Sequence, residues 1–276
     1  MKHFFIFPLL FFSHMLFAQE IYPLTGDFSW KKIEKRNPEV IESFLKLVPI
    51  EDFEYYKEPE ELVELLHTLD LNNDKLDDVI FYGQTSDDES IVMIYINKGT
   101  SFKKEFAKEQ SVLHMEFANG VLSKIAIEDL GSGGEVVARD QFFEANLKSS
   151  SGDFTFKLIK SFEYIQETEL PKTYWATSKR VKVKHDKYKV RMAPVIDDST
   201  SHGDDAGVGN TIGLIPQDGE ALAMAESTDN TGRVWYFVAV YPEYPLTSTL
   251  FYEPKEGTRS FKCGWISSRF IEVLKD

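Results

Sequence analysis

The chain of 276 residues contains a single cysteine, Cys263. One thiol closes no internal disulfide and builds no multi-cysteine zinc site. Positive charge is scarce: 31 Lys and Arg stand against 45 Asp and Glu, a formal net charge of −14 at pH 7. A field of that sign repels phosphate backbones and excludes nucleic-acid binding by the surface as a whole. After residue 18 no apolar run reaches the ~20 residues that a membrane-spanning helix needs. Familiar catalytic signatures are missing as well. None of His67, His114, His185 and His202 opens a His-Glu-x-x-His motif or lies at metal-binding spacing from another histidine. There is no Gly-x-Ser-x-Gly elbow, no Walker-type phosphate loop and no Gly-x-Gly-x-x-Gly turn. Gly131-Ser132-Gly133-Gly134 reads as a flexible connection, and His202-Gly203-Asp204-Asp205 as a solvated acidic loop. Acids are abundant, so a paired-carboxylate hydrolase stays open, because carboxylate separation is a three-dimensional quantity.

What is present is apolar and aromatic mass, 42% and 14% of residues, enough for one large core or two ordinary ones. Residues 1–18 read as a cleaved secretory signal: Lys2 and His3, an apolar run from Phe4 to Phe12, and a small Ala18 before Gln19. No cysteine follows to take a lipid anchor, so the expected location is periplasmic or extracellular. An exported chain without disulfides must draw its stability from packing or from a metal.

Asn37-Pro38-Glu39 supplies an N-cap, an N1 proline and a dipole-compensating acid, followed by Val40, Ile41, Phe44, Leu45 and Val48 at helical spacing. Glu58-Pro59 opens either a second short helix or a strand running into Asp70. From Val79 to Ile165 short apolar runs alternate with turn residues, the pattern of an antiparallel sheet. Asn119-Gly120 between two such runs signals a two-residue hairpin. Composition places a linker at 167–177, between a helix-plus-sheet domain over 19–166 and a second β domain over 178–276.

The sharpest chemical signal is Asp70-Leu71-Asn72-Asn73-Asp74-Lys75-Leu76-Asp77-Asp78. Oxygen side chains of Asp70, Asn72, Asp74 and Asp78 stand at positions one, three, five and nine, and the Leu76 carbonyl at seven, a spacing suited to a hard oxygen-seeking cation. Phe81 occupies position twelve, so this is not an EF-hand. The run resembles the Asp-x-Asn-x-Asp-x-x-x-Asp loop of FG-GAP/VCBS-type repeats, which implies structural Ca²⁺ in an extracellular β domain over about 60–165. Lys75 departs from that pattern, standing where glycine commonly makes the tight turn. An Asp/Asn-rich turn that hydrogen-bonds its own backbone without metal is the alternative.

Five later segments resemble, in order, a bacterial SH3 (SH3b-like) domain: Tyr188–Pro194, Asn210–Gly219, Ala221–Glu226, Val234–Val240 and Cys263–Ile271. The resemblance implies a non-catalytic targeting module, often directed at cell-wall peptide or glycan. The loop 197–209 and the insertion 241–262 are longer than usual, and Tyr241, Tyr244 and Tyr252 of that insertion, with Trp235, are the candidate ligand-binding residues. Trp235 and Trp265 equally suit barrel packing. Arg180, Lys182, Lys184, Lys187, Lys189 and Arg191 form a basic stripe that reads as edge-strand protection or as an anion contact. If it is a hairpin, one face carries many like charges.

The expected fold is thus mainly β: an antiparallel domain with an N-terminal helix and a calcium loop, then an SH3-like barrel. The expected function is an exported, calcium-stabilised binding protein for a cell-wall glycan or peptide or an envelope protein. The alternatives are an envelope hydrolase using carboxylates of residues 50–165 and a periplasmic inhibitor or immunity-type protein.

Overall fold

The structure, a computed structural model, describes residues 21–24, 28–53, 55–85, 89–130, 137–199, 209–251 and 259–275. The signal segment 1–18, Gly131–Gly134, His202–Asp205 and Tyr252 lie outside them. The protein is mainly β, and among the described residues the α-helices lie before the first strand.

Helix α1 (Pro38–Leu47) starts where the capping residues place it, with the Asn37 side chain accepting from Val40 N at 3.4 Å. Both readings of the next segment hold in part. Helix α2 (Pro59–Leu62) passes through one 3-10 turn into strand β1 (Leu66–Leu69). Strands β2 (Asp78–Gln84), β3 (Ser90–Asn97) and β4 (Phe102–Lys108) complete a four-stranded antiparallel sheet in chain order.

Period-two alternation sends Ile91, Met93 and Tyr95 of β3 towards α1, where they meet Ile41 and Phe44. Val92, Ile94 and Ile96 point the other way, into a core shared with the second sheet. Being buried on both faces explains why β3 reads as one unbroken apolar run.

The second sheet begins with the hairpin β5 (Ser111–Ala118) and β6 (Val121–Asp129). Its two-residue turn has Asn119 at φ 54° and Gly120 at φ 81°, the left-handed pair that the Asn-Gly dipeptide tolerates. The long strands β7 (Val137–Lys148) and β8 (Asp153–Ile165) follow, with a register shift at Phe142/Phe143. Phe143, Ala145 and Phe154 pack on the four-stranded sheet, while Phe142, Phe162 and Tyr164 pack on the C-terminal half. One hairpin thereby serves two cores.

The C-terminal half contributes β9 (Lys179–Val183), β10 (Tyr188–Arg191), β11 (Thr211–Ile215), β12 (Glu220–Thr228), β13 (Val234–Val240), β14 (Phe261–Ser267) and β15 (Ile271–Val273). The hydrogen-bonded path runs β15-β9-β12-β13-β14-β8-β7-β6-β5, with β10 joined to β11 and β14. Around it, Val181, Val183, Val190, Ile212, Ala223, Val238 and Ile266 share a fourth core.

Two expectations are corrected here. Among the described residues the C-terminal strands form an open sheet and no closed barrel, because β15 pairs only with β9 and β11 only with β10. The basic stripe is not a hairpin either: β9 pairs with β12 and β15, and β10 with β11 and β14. Separate partners let Val181, Val183 and Val190 all turn inward, where each is fully buried.

Residues 167–177, expected as a linker, carry several bonds to the C-terminal half. Trp265 Nε1 donates to Glu169 O at 2.6 Å, and Trp175 N donates to Met224 O at 2.8 Å.

Strands β10 and β14 approach closely at Gly264, where an added Cβ would lie 2.6 Å from Val190 Cγ1, 2.7 Å from Ile212 Cδ1 and 2.9 Å from Arg191 O. Gly264→Ala is therefore expected to cost about 1–3 kcal/mol of stability in urea unfolding, with β10 forced off β14. A neutral substitution would contradict the packing of β10 against β14.

Candidate functional site

The acidic loop 70–78 connects β1 to β2, and its backbone carries the conformational cost that its sequence forecasts. Lys75 sits at φ 75° and Asn73 at φ 61°, both left-handed. The winding is held by shared donors. Asp70 Oδ1 and Asn72 Oδ1 both accept from Asp74 N, at 3.2 and 3.0 Å. Asp70 Oδ2 accepts from Lys75 N at 3.0 Å, and Asp74 Oδ1 from Leu76 N at 2.9 Å. Asp70, Asn72 and Asp74 are thereby drawn to one side of the turn.

Asp78 behaves differently. It is fully buried, accepting from Leu71 N at 2.9 Å and from Asn97 N at 2.8 Å. Burial pushes its carboxyl up to about 7, against the pull of those two N–H groups, and the charges of Asp74 and Asp70 add to the rise.

The donor set is oxygen-only, as Ca²⁺ requires. Among the described residues, however, no three His, Cys, Asp or Glu side chains group as a metal cage. Asp70, Asn72 and Asp74 are the part of the set drawn together, and Asp78 is turned to protein donors. Leu76 is 40% exposed.

The loop also joins the two sheets. Leu122 N donates to Leu71 O at 2.8 Å, and Asn72 Nδ2 reaches Gly152 O at 3.3 Å in the β7–β8 turn.

A second candidate lies in the C-terminal half. A cavity of 380 Å³ is lined by Tyr188, Ile196, Trp235, Ser267 and Phe270, and by the cations Lys187, Lys189, Arg191, Arg233 and Arg269. Three stretches far apart in sequence build it: β10, the start of β13 and the 3-10 turn at Ser268–Phe270. Trp235 is 1% exposed and donates from Nε1 to Asp229 Oδ2 at 3.0 Å, so the ring forms a fixed wall. Asp229 in turn is held well below the usual carboxylate range by its bonds from Thr231 and Trp235. Tyr188 OH donates to Ser267 O at 2.8 Å, and Phe270 projects 47% exposed.

Of the described residues expected to bind ligand, Trp235 lines this cavity, and Tyr241 and Tyr244 do not. Tyr241 packs against Phe261 with ring centroids 5.5 Å apart, and Tyr244 packs on the core of the C-terminal half. Sequence reasoning passed over Tyr188, Arg233, Arg269 and Phe270. Tyr188 and the flanking Lys187 and Lys189 had a signal in the basic stripe; Arg233 and Arg269 stand alone among other residue types and had none.

The stripe itself is mostly neutralised. Arg180 pairs with Glu220 at 2.8 Å, Lys182 with Asp218 at 3.8 Å and Lys184 with Glu272 at 3.7 Å. Only its β10 end opens into the cavity.

Another cavity, of 410 Å³, lies between residues 52–56 and strands β2 to β4 and is lined by Phe53, Tyr56, Phe81 and Met93, with Asp52 and Glu109 balancing Lys104 and Lys108. Cys263 is fully buried, and burial pushes its thiol well up, which suits a packing residue. Among the described residues no helix is long and apolar enough to cross a membrane. Comparison with protein-family models, curated proteins and solved structures finds no match for the chain.

Proposed function

We propose that this is an exported, non-catalytic binding protein of the cell envelope, in which a calcium-loop β domain carries an SH3-like recognition unit. The observation that carries this reading is the groove at Tyr188, Trp235 and Phe270, where three separate segments present aromatic side chains around one cavity. Rigid aromatic walls beside polar side chains are what a binding cleft needs. The five segments that resemble a bacterial SH3 domain lie on or directly beside the strands of one half, and residues from all five share one apolar core. That order, with a 3-10 turn leading into a last strand that pairs with β9, supports the SH3-like reading.

The groove takes an envelope polymer or a partner protein. Binding is tested by retention of the purified protein on envelope fractions. Phe270→Ala is expected to abolish retention while leaving the fold intact, because the ring is half exposed. Undiminished retention would remove the groove from the account.

Calcium is proposed at Asp70, Asn72, Asp74, the Leu76 carbonyl and Asp78. Its chemistry would be electrostatic: a dication beside three carboxylates offsets their repulsion and braces the contact between the two sheets. The side-chain oxygens of Asp70, Asn72 and Asp74, drawn to one side of the turn, support this reading, and their bonds to the loop backbone suit the metal-free turn equally. At a calcium concentration about a hundred times Kd the stabilisation is about 2.7 kcal/mol, a rise in Tm on the order of 5 °C. Asp74→Ala is expected to remove that rise. A wild-type Tm that is the same in calcium and in EDTA would sink the assignment.

A further inference from the structure

Resting on the reading of the groove as the binding face, we propose that its ligand is an acidic peptide segment of a partner protein, carboxylates alternating with apolar or aromatic side chains. The lining sets this chemistry. Among the described residues, five cations, Lys187, Lys189, Arg191, Arg233 and Arg269, and no acidic side chain line the cavity. This happens on a chain whose formal net charge is −14. A cleft of one sign in a field of the other focuses its potential on an incoming anion.

The protein already shows how a carboxylate seats at one end. Asp198 Oδ1 accepts from Lys189 Nζ and from Arg191 Nη2, each at 3.0 Å. Arg191 is otherwise saturated, donating from Nη1 to Asp197 O at 3.1 Å and Asn210 Oδ1 at 2.7 Å, so it anchors that end and does not reach for ligand.

The other end has no such partner. Among the described residues no carboxylate pairs with Lys187, Arg233 or Arg269. Arg233 Nε is buried without a hydrogen-bond acceptor while its guanidinium stands 5.8 Å from the Trp235 ring centroid. Arg233 and Arg269 line the same cavity as Tyr188. Like charges held together with a donor left unpaired are costly unless an anion completes them.

The same lining argues against a neutral glycan. Sugar hydroxyls can accept from these donors, but they bring no negative charge to offset the cations gathered here. Ile196 and Phe270, 46% and 47% exposed, give apolar side chains of a peptide a surface that a bare polyanion would not use.

The test uses the whole protein with three soluble polymers: poly(Glu,Tyr), poly(Lys,Tyr) and dextran sulfate, with affinity read by fluorescence anisotropy. Poly(Glu,Tyr) is expected to bind, with affinity falling steeply as salt is raised. Lys187→Glu combined with Arg269→Glu is expected to weaken it about thirtyfold. Lys31→Glu combined with Lys157→Glu changes net charge equally at exposed remote sites and is expected to weaken it less than about threefold. Arg233→Gln, which adds no negative charge, serves as a second groove variant and is expected to weaken binding about tenfold.

Binding of poly(Glu,Tyr) that ignores the groove variants would overturn the inference. So would dextran sulfate binding as tightly as poly(Glu,Tyr), since that marks a site for any polyanion. Retention of envelope material that depends on Phe270 without any affinity for poly(Glu,Tyr) would leave the groove as the binding face and remove its acidic ligand. Absence of both would remove the two together.

Discussion

Trp265→Ala is expected to lower the stability of the whole protein by about 4 kcal/mol while the chain still unfolds in one transition. The indole is 2% exposed and meets Phe237 edge-on, with ring centroids 5.3 Å apart. It belongs to the core that also holds Phe142 and Phe162 of the β7–β8 hairpin, so the cavity opens where the two halves join. Its Nε1 also satisfies Glu169 O, and removing it leaves that carbonyl without its donor. Trp265→Phe separates the two contributions, keeping a ring and losing the hydrogen bond, at about 1–2 kcal/mol. The expected loss is a large share of the ~5–15 kcal/mol that holds a typical domain together. Urea unfolding with an unchanged slope checks it. Two separate transitions, with only one moved by Trp265→Ala, would mean that 167–177 behaves as a linker between independent units.

The second large effect is a pH dependence set by Asp140. This carboxyl is fully buried, accepting from Leu24 N at 2.9 Å through Oδ2 and from the Tyr164 hydroxyl at 3.0 Å through Oδ1. Burial pushes it up to about 7, with the charge of Glu128 adding to the rise and the Leu24 and Tyr164 donors opposing it. The folded chain therefore keeps a proton that the unfolded chain releases near the ordinary aspartate value of about 3.9. Between those values the folded state binds more protons, so this contribution to stability is full at low pH and is lost as pH rises towards 7.

Asp140→Asn has no proton to lose. Relative to wild type, the variant is expected to gain about 3 kcal/mol as pH rises from about 4 to about 7. The whole of that gain should appear below about pH 7. Parallel stability profiles for the two proteins would contradict the burial of an ionisable group at this position.

Local features of the fold were legible because they rest on short-range chemistry. The Asn37-Pro38 cap, the Asn119-Gly120 turn and the doubly buried β3 each need only a few neighbouring residues to declare themselves. Strand β4 did not, because only Phe106 of its seven residues is buried and its lysines mask the alternation. The parallel pairing of β8 with β14, Phe162 opposite Phe261, joins residues about a hundred positions apart, and no local pattern carries it.

The acidic loop announced its oxygen spacing, yet the inward turn of Asp78 towards Leu71 N and Asn97 N depends on β3 and on tertiary burial. For the groove, alternation along β10 pointed to basic side chains on one side of a strand. Arg233 and Arg269 join them only because β13 and the turn after β14 arrive at the same place. The insertion tyrosines misled for a physical reason: Tyr241 and Tyr244 have apolar neighbours to pack on and spend their rings there.

The most direct test of the account follows the indole N–H signals of the 4 tryptophans in a ¹⁵N-labelled sample. Poly(Glu,Tyr) added in steps is expected to shift the Trp235 signal progressively, because its Nε1 and its neighbour Arg233 stand at the groove, and to leave Trp30 in place. A Trp30 signal that moves while Trp235 stays fixed would contradict it.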